Sequence, residues 1–444
     1  MQNLTKGSPT RGILLFSVPL YVGQLFALGY SLIDTRIIGS ILGESSLAAV
    51  GATVSLSELL TSFEMSSIAG FGIIVARYFG AQDERRMKQA IGATWVAGSA
   101  MTLLLSGVTL LLLPQLLSLL QVSESLRPEA TLYVATVVAT MIAASLYQVC
   151  ASVLRSVGDT LTPLLFLILS NALNVALDVA LIAYAGMGVQ GAAIATAITQ
   201  ALSALLCFLY MRRRFPQLIP SLADLRPRRE VYRELLPTGL SMGFMMSFVL
   251  LGTFALQTSI NALGTNIIVA HTGARRITML LFLPYTVLGM ALATYCGQNL
   301  GARQYRRISQ GIWSAIRISA MWSIVAIIIV YVAAPLCVRL VTASSQPEVV
   351  DNASLYLRVD VLFYFVCALI CLLRNAMQGF GDNRTPILSS TVELTGKVLI
   401  ALLLVPSIGY WGVIVCEPIV WVLMVVPLIA GTLRNPVVRQ TDRK

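Results

Sequence analysis

Residues 170–183 read SNALNVALDVALIA, an apolar run that nevertheless carries Asn171, Asn174 and Asp178. An ionised group left alone in a bilayer costs at least about 2.5–3.5 kcal/mol, so a carboxylate here calls for partners or a purpose. Asn174 stands four residues before Asp178, on the same face of a helix. The chain turns at Gly186-Met187-Gly188 and returns. Asp178 lies nine residues before Met187 and Thr196 nine after it, so a hairpin centred there brings both to one depth. Ala192, one turn from Thr196, leaves a small surface where a backbone or an ion can come close. Asp34, in SLIDTRIIG, lies near the outer end of the first apolar run, in the same layer. Two carboxylates, a carboxamide and a hydroxyl all offer oxygen. Hard cations take oxygen ligands, and neighbouring buried carboxylates can share a proton. The chemistry open to this set is the loading and release of Na⁺ or H⁺. A helix-packing network, with Asp34 bonded to Asn174 and Thr196 to a backbone carbonyl, is the other reading of the same residues.

The elements that must position these groups are membrane helices. The 444 residues are 57% hydrophobic and 11% charged, with a mean hydropathy of +0.81. Soluble chains carry about 25% charged residues. Apolar runs long enough to cross a bilayer recur from end to end, and in lipid a run of that length must satisfy its backbone as a helix. The fold class is an all-α polytopic membrane protein with twelve spans. They are expected near 12–38, 45–76, 90–116, 128–153, 162–185, 189–211, 236–261, 267–297, 311–335, 353–376, 387–407 and 410–432. The basic stretches Arg77 to Lys88, Arg212 to Arg233, Arg303 to Arg307 and Arg434 to Lys444 then fall on one face. That face is cytoplasmic by the positive-inside rule, with both termini, in a cell (inner) membrane. The net charge of +11 is therefore loop charge, and no nucleic-acid partner is expected. Seven cysteines without metal or paired spacing read as small packers, and the single His271 excludes a His-rich metal site. No cleavable signal is expected at the N-terminus.

The two halves of the chain resemble one another. RYFGAQDERRMKQAIG (77–92) aligns with QNLGARQYRRISQGIW (298–313), and LRSVGDTLTP (154–163) with MQGFGDNRTP (377–386). The LGESSLAAVG stretch (42–51) matches LGTNIIVAHTG (263–273) at a similar offset. Six spans per half is an even number, so both halves enter from one side and form a parallel repeat about the membrane normal. The expected division is a lobe at 1–211, a cytoplasmic linker at 212–235 and a lobe at 236–444. Such a pair suits alternating access.

With these residues in place, the chain resembles the multidrug and toxic compound extrusion (MATE) transporters of bacteria. That family belongs to the multidrug/oligosaccharidyl-lipid/polysaccharide flippase superfamily. The likeness runs from LTKGSPTRGILLFSVPL through LIDTRIIGSILGESSLAAVG and the LRSVGDTLTP loop to NVALDVALIAYAGMGVQGAAIATAITQ. It implies export of amphipathic, often cationic, small molecules in exchange for H⁺ or Na⁺, with no cofactor beyond that coupling ion. By resemblance Asp34, Asn174, Asp178, Ala192 and Thr196 form the cation site, Ala192 through its backbone carbonyl, and Tyr133 matches a tyrosine near the same cavity. One branch of the family has a second acidic site with a carboxylate in span 7; span 7 here, PTGLSMGFMMSFVLLGTFALQTSI, has no acid.

Other intramembrane residues have two readings each. Glu58 and Glu64 can face a substrate cleft, and Met242, Met245 and Met246 can line one with an adaptable surface or simply pack. Arg275, Arg276, Arg374, Glu393, Lys397 and Glu417 read as buried charges of the second lobe, either a neutralised structural network or a polar substrate patch or gate. Glu393 and Lys397 are spaced to pair on one helix. The G-D-x-x-x-P loops at Gly158 and Gly381 read as helix starts. No GxxxxGK[ST] loop is present, so ATP is not the energy source, and no catalytic constellation marks an enzyme. The chain is expected to work as a monomer in the lipid bilayer. A flippase for a lipid-linked glycan and a non-transporting receptor or scaffold are the alternatives.

Overall fold

The computed structural model describes residues 3–42 and 44–439, the side chains of 31–50, 52, 183 and 189 excepted. Every regular element among the described residues is helical. The long helices are α1 (Pro9–Leu42), α2 (Glu44–Gly80), α3 (Glu84–Leu119), α4 (Arg127–Ser156), α5 (Leu161–Asp178), α6 (Gly188–Arg214), α7 (Arg229–Asn261), α8 (Thr265–Gly301) and α9 (Tyr305–Thr342). There follow α10 (Pro347–Val361), α11 (Tyr364–Phe380), α12 (Arg384–Leu399), α13 (Val405–Ile408), α14 (Tyr410–Arg434) and α15 (Pro436–Arg439). Eleven of the described helices are long and apolar enough to span a membrane; α10 and α11, bent by 56° at their break, complete a twelfth. The sequence predicts that span as one continuous helix over 353–376. It breaks because Phe363 N–H closes onto the Asp360 carbonyl at 3.0 Å, a three-residue turn in place of the four-residue one.

The G-D-x-x-x-P loops do start helices. Gly158 and Gly381 hold φ of +89° and +96°, values that favour glycine. Asp159 accepts Thr162 N–H at 3.0 Å and the Thr162 hydroxyl at 2.8 Å. Asp382 accepts the same two groups of Thr385 at 3.2 and 2.8 Å. Pro163 and Pro386 sit in the first turns, where a missing N–H costs nothing. The duplication reaches further: α5 runs into a π-helical segment at Val179–Tyr184, and α12 into one at Ile400–Leu404.

Contacts group the chain into two compact units. Val18–Gly243 form most of one; Leu4–Ser17 with the chain from Phe244 form the other. The core of the first unit joins Ile68 and Phe71 of α2, Ile91 of α3, Val149 and Leu154 of α4, and Cys207 of α6. Lipid gives no hydrophobic drive between helices, so close approach of small residues has to hold them. At Gly72 a Cβ would stand 2.2 Å from Ser152 Oγ, and the Ser156 hydroxyl donates to the Gly72 carbonyl at 2.7 Å. Residues 212–235, expected as a linker, pack onto this unit. Leu218 is fully buried, and the Asp224 carbonyl lies where a Cβ on Gly92 would be, 2.4 Å away. The Ser221 hydroxyl donates to Asp224 Oδ2 at 2.6 Å and holds that carboxyl below the usual carboxylate range.

In the second unit Leu4 N–H donates to Gln298 Oε1 at 3.0 Å, and the Arg307 guanidinium donates to the carbonyls of Gly7 and Leu4 at 2.8 and 3.1 Å. Its interior is built around four fully buried tyrosines, Tyr285, Tyr295, Tyr356 and Tyr364.

Candidate functional site

The polar residues of α5 and α6 assemble into a hydrogen-bonded chain inside the first unit. Asn174 is buried and central. The Tyr30 hydroxyl on α1 donates to Asn174 Oδ1. Asn174 Nδ2 donates to Thr196 Oγ1 and Thr199 Oγ1, each at 3.4 Å, and Thr196 Oγ1 donates to the Ala192 carbonyl at 3.0 Å. Ser170 Oγ donates to the Thr199 carbonyl at 2.9 Å and ties the two helices one turn further in. Asp178 is completely buried at the last α-helical position, where the π segment begins. Thr196 is exposed, so the chain leads from a buried amide to the surface of the packed helices.

Three of the five expected cation-site residues are thus joined directly, namely Asn174, Ala192 and Thr196, with Asp178 one turn on. The side chain of Asp34 lies outside the described residues. The register differs from the expected one. Asn174, not Asp178, faces Thr196, which centres the hairpin on Ala185 rather than Met187 and sets Asp178 level with Ala192. The π segment contributes to this shift: Ala185 N–H reaches back five residues to the Ala180 carbonyl at 3.0 Å, which takes up one extra residue before the turn. Tyr30 and Thr199 are site residues that sequence reasoning did not find.

The second unit places charges where the first has amides and hydroxyls. Arg374 Nη2 meets Glu393 Oε2 at 3.0 Å, and Lys397 Nζ meets Glu393 Oε1 at 3.0 Å and Glu417 Oε1 at 3.1 Å. Arg275 Nη1 meets the same Glu417 oxygen at 3.4 Å. Asp360, not anticipated from the sequence, is wholly buried beside this network, and neither of its oxygens has a hydrogen-bond partner among the described residues. Three cations therefore stand against three carboxylates. Lys397 lies at the position that the GD-loop register pairs with Asn174. Arg276, expected among the buried charges, is exposed and outside the network, because it follows Arg275 by one residue and points to another face of α8.

The residues expected to line a substrate cleft have separate environments. Glu58 is exposed, whereas Glu64 is buried between α3 and α4, with its carboxyl against the Thr102 hydroxyl. Expected to face a cleft, Glu64 instead belongs to the interior of the first unit. Tyr133 is half-buried against a cluster containing Leu56, Leu117 and Val138. Met242 is buried, Met246 is exposed, and Met245 Sδ lies 3.8 Å from Gln378 Nε2.

Comparison with known proteins agrees with the duplicated helical fold. The MatE family model matches residues 19–180 and again residues 241–403, the two matches of one model that a duplicated chain produces. The chain is 27% identical over 364 residues to the probable multidrug resistance protein YpnP of Bacillus subtilis, covering 82% of this chain and 80% of that protein. It is 23% identical over 432 residues to the multidrug export protein MepA of Staphylococcus saprophyticus, covering 96% and 92%. The FAD transporter of Shewanella oneidensis is 24% identical over 397 residues, with 88% and 86% covered. Among solved structures, MATE in the bent conformation superposes with a TM-score of 0.90 at 23% identity, covering 99% of this chain and 98% of that one. A MOP superfamily transporter from Pyrococcus furiosus also gives a TM-score of 0.90, at 23% identity over 100% and 98% of the two chains. With eleven or twelve helices among the described residues long and apolar enough to cross a membrane and the family pattern present twice, the chain belongs to the MATE family of membrane transporters.

Proposed function

We propose that this chain is a multidrug exporter that antiports a cation, H⁺ or Na⁺, against amphipathic, often cationic, small molecules by alternating access. The observation that carries the reading is the chain Tyr30–Asn174–Thr196–Ala192 beside the buried Asp178. The Asn174 amide oxygen and the Thr196 hydroxyl each keep a lone pair after these hydrogen bonds are made, whereas the Ala192 carbonyl, which also takes the helical N–H of Thr196, becomes a ligand when the Thr196 hydroxyl turns its proton elsewhere. Asp178, the Asn174 amide, the Thr196 hydroxyl and the Ala192 carbonyl thereby offer oxygen ligands of the kind Na⁺ takes, and Asp34 is the proposed second carboxylate. A proton needs only the carboxylates. Coupling follows if cation and substrate favour different states of the transporter, since a ligand shifts an equilibrium only by its differential affinity.

The second unit's charges support a different role. Three cations against three carboxylates need no ion from outside, so we assign that network to structure. Both termini are placed on the cytoplasmic side of the cell membrane, and the monomer is the working unit. The test is purified protein in liposomes, with proton and sodium gradients imposed separately while efflux of a fluorescent organic cation is followed. One of the two gradients drives efflux, and Asp178→Asn abolishes it at normal protein levels. Equal efflux from that mutant would refute the cation site.

A further inference from the structure

Glu64 is the buried acid that the proposed cycle does not use. It sits roughly midway along the membrane-crossing part of α2, 2% exposed. The Thr102 hydroxyl on α3 lies against Glu64 Oε1, 2.9 Å from the Gly98 carbonyl and 2.9 Å from Ser145 Oγ on α4. Ser145 reaches the same carboxyl. No cation compensates it among the described residues. α3 has no charged residue from Gln89 to Leu119, α4 none from Ala130 to Leu154, and α7 none from Leu235 to Asn261. The nearest titratable groups of α4 turn away: the Tyr147 hydroxyl donates to the Pro163 carbonyl at 3.0 Å, and Cys150 Sγ lies 3.8 Å from the Ala204 carbonyl. On α2 itself, Glu58 is exposed six residues away.

The repeat shows what the fold requires at this position. The alignment of residues 77–92 with 298–313 pairs Glu64 with Tyr285, Thr102 with Ser323 and Gly98 with Ser319. In the second unit Tyr285 Oη and Ser323 Oγ are 2.7 Å apart, and Ser323 Oγ donates to the Ser319 carbonyl at 2.8 Å. Ser323 has one proton and gives it to Ser319, so Tyr285 is the donor in the pair. The first unit repeats this geometry. If Thr102 gives its single proton to the Gly98 carbonyl, the group against it must donate, and a carboxyl donates only when protonated. In the ionised form the pattern reverses, with Thr102 and Ser145 both donating to the carboxylate. Both forms are satisfied by the same side chains. A tyrosine keeps its proton to about pH 10 in water, whereas a carboxyl gives its proton up about six pH units lower.

We propose that Glu64, gated by Thr102 and Ser145, is a second proton-binding site of the first unit, separate from the α5–α6 site, and that it exchanges its proton during the antiport cycle proposed above. The test is infrared difference spectroscopy of the reconstituted full-length protein, with pH steps and with a fluorescent organic cation added at fixed pH. A carboxylic-acid C=O band is expected in both experiments. It should be lost in Glu64→Gln, whose amide can still donate to Thr102 and so keeps the fold. It should persist in Asp178→Asn and shift in Thr102→Val, which removes the acceptor. A Glu64→Gln spectrum identical to the parent, or a band unmoved by Thr102→Val, overturns the site. A Glu64 band that responds to pH but ignores the substrate overturns the exchange. Gradient-driven efflux in a protein without any Glu64 band leaves antiport standing and removes only this site, whereas a substrate-linked Glu64 band without efflux removes antiport and leaves the site.

Discussion

At Asn174 one amide uses both ends: its oxygen accepts from Tyr30 and its nitrogen donates to Thr196 and Thr199. That amide is the orienting group, because it fixes which way its oxygen faces while leaving a lone pair for a ligand. Tyr30→Phe removes the phenol donor alone. A net hydrogen bond is worth about 0.5–1.5 kcal/mol, so cation affinity measured by titration calorimetry should fall roughly 2- to 10-fold, with expression unchanged. Thr196→Val sorts the two ions. It removes an oxygen ligand and should weaken Na⁺-driven efflux at least tenfold, yet leave H⁺-driven efflux within a factor of about two, since a proton needs only a carboxylate. Asn174, Asp178, Ala192 and Thr196 were legible because polar and small residues stand out in an apolar run. Tyr30 and Thr199 were not, since tyrosines near the ends of spans and threonines inside them are ordinary there. The surroundings of Glu64 stayed open in the sequence for a related reason. Polar and apolar residues are scattered around the whole circumference of α2, so the 3.6-residue period does not say which face meets α3 and α4.

The same chemistry at the scale of elements decides how five helices of the second unit are held. α8, α10, α11, α12 and α14 each contribute a charge to one buried network. Breaking a buried pair by removing one partner costs about 3–5 kcal/mol, because the other charge is left uncompensated. Glu393→Gln and Lys397→Met should therefore each lower the thermal midpoint in detergent by several degrees, while the double mutant recovers most of the loss. Additive losses would show that the two do not act as a pair. In the first unit the close fit of Gly92 against the Asp224 carbonyl makes a second element-scale test. Gly92→Ala overpacks that contact at about 1–3 kcal/mol and should speed proteolysis within residues 212–230 without altering the helices, as read by circular dichroism. The pairing of Glu393 with Lys397 could be read from spacing alone. Its extension to Arg374, Glu417 and Arg275 could not, because those contacts depend on how neighbouring helices rotate. Nor could the α10–α11 break or the π segments, which occur in stretches with no Gly or Pro to mark them, such as LRVDVLFYFV and LDVALIAY.

The whole molecule was the most legible level. Hydropathy fixed the helices, and duplicated loops such as GDTLTP and GDNRTP fixed the repeat, which the double family match repeats in the same halves. Duplication then lets each half serve as a control for the other: Asn174 against Lys397, and Glu64 against Tyr285. In the proposed cycle the first member of each pair bears on cation exchange, while Lys397 is held by Glu393 and Glu417 and Tyr285 by Ser323. The central claim is that a cation on the α5–α6 site and the exported molecule oppose one another, and by linkage each must weaken the other's binding by the same factor. The direct measurement is the Kd of a fluorescent organic cation for the purified transporter in detergent, without any gradient, as pH is lowered or Na⁺ is raised. In the parent the Kd should rise at least tenfold with one of the two cations, and in Asp178→Asn it should stay flat. A parent Kd indifferent to both cations, or an Asp178→Asn variant with the parent's full dependence, would contradict cation exchange at this site.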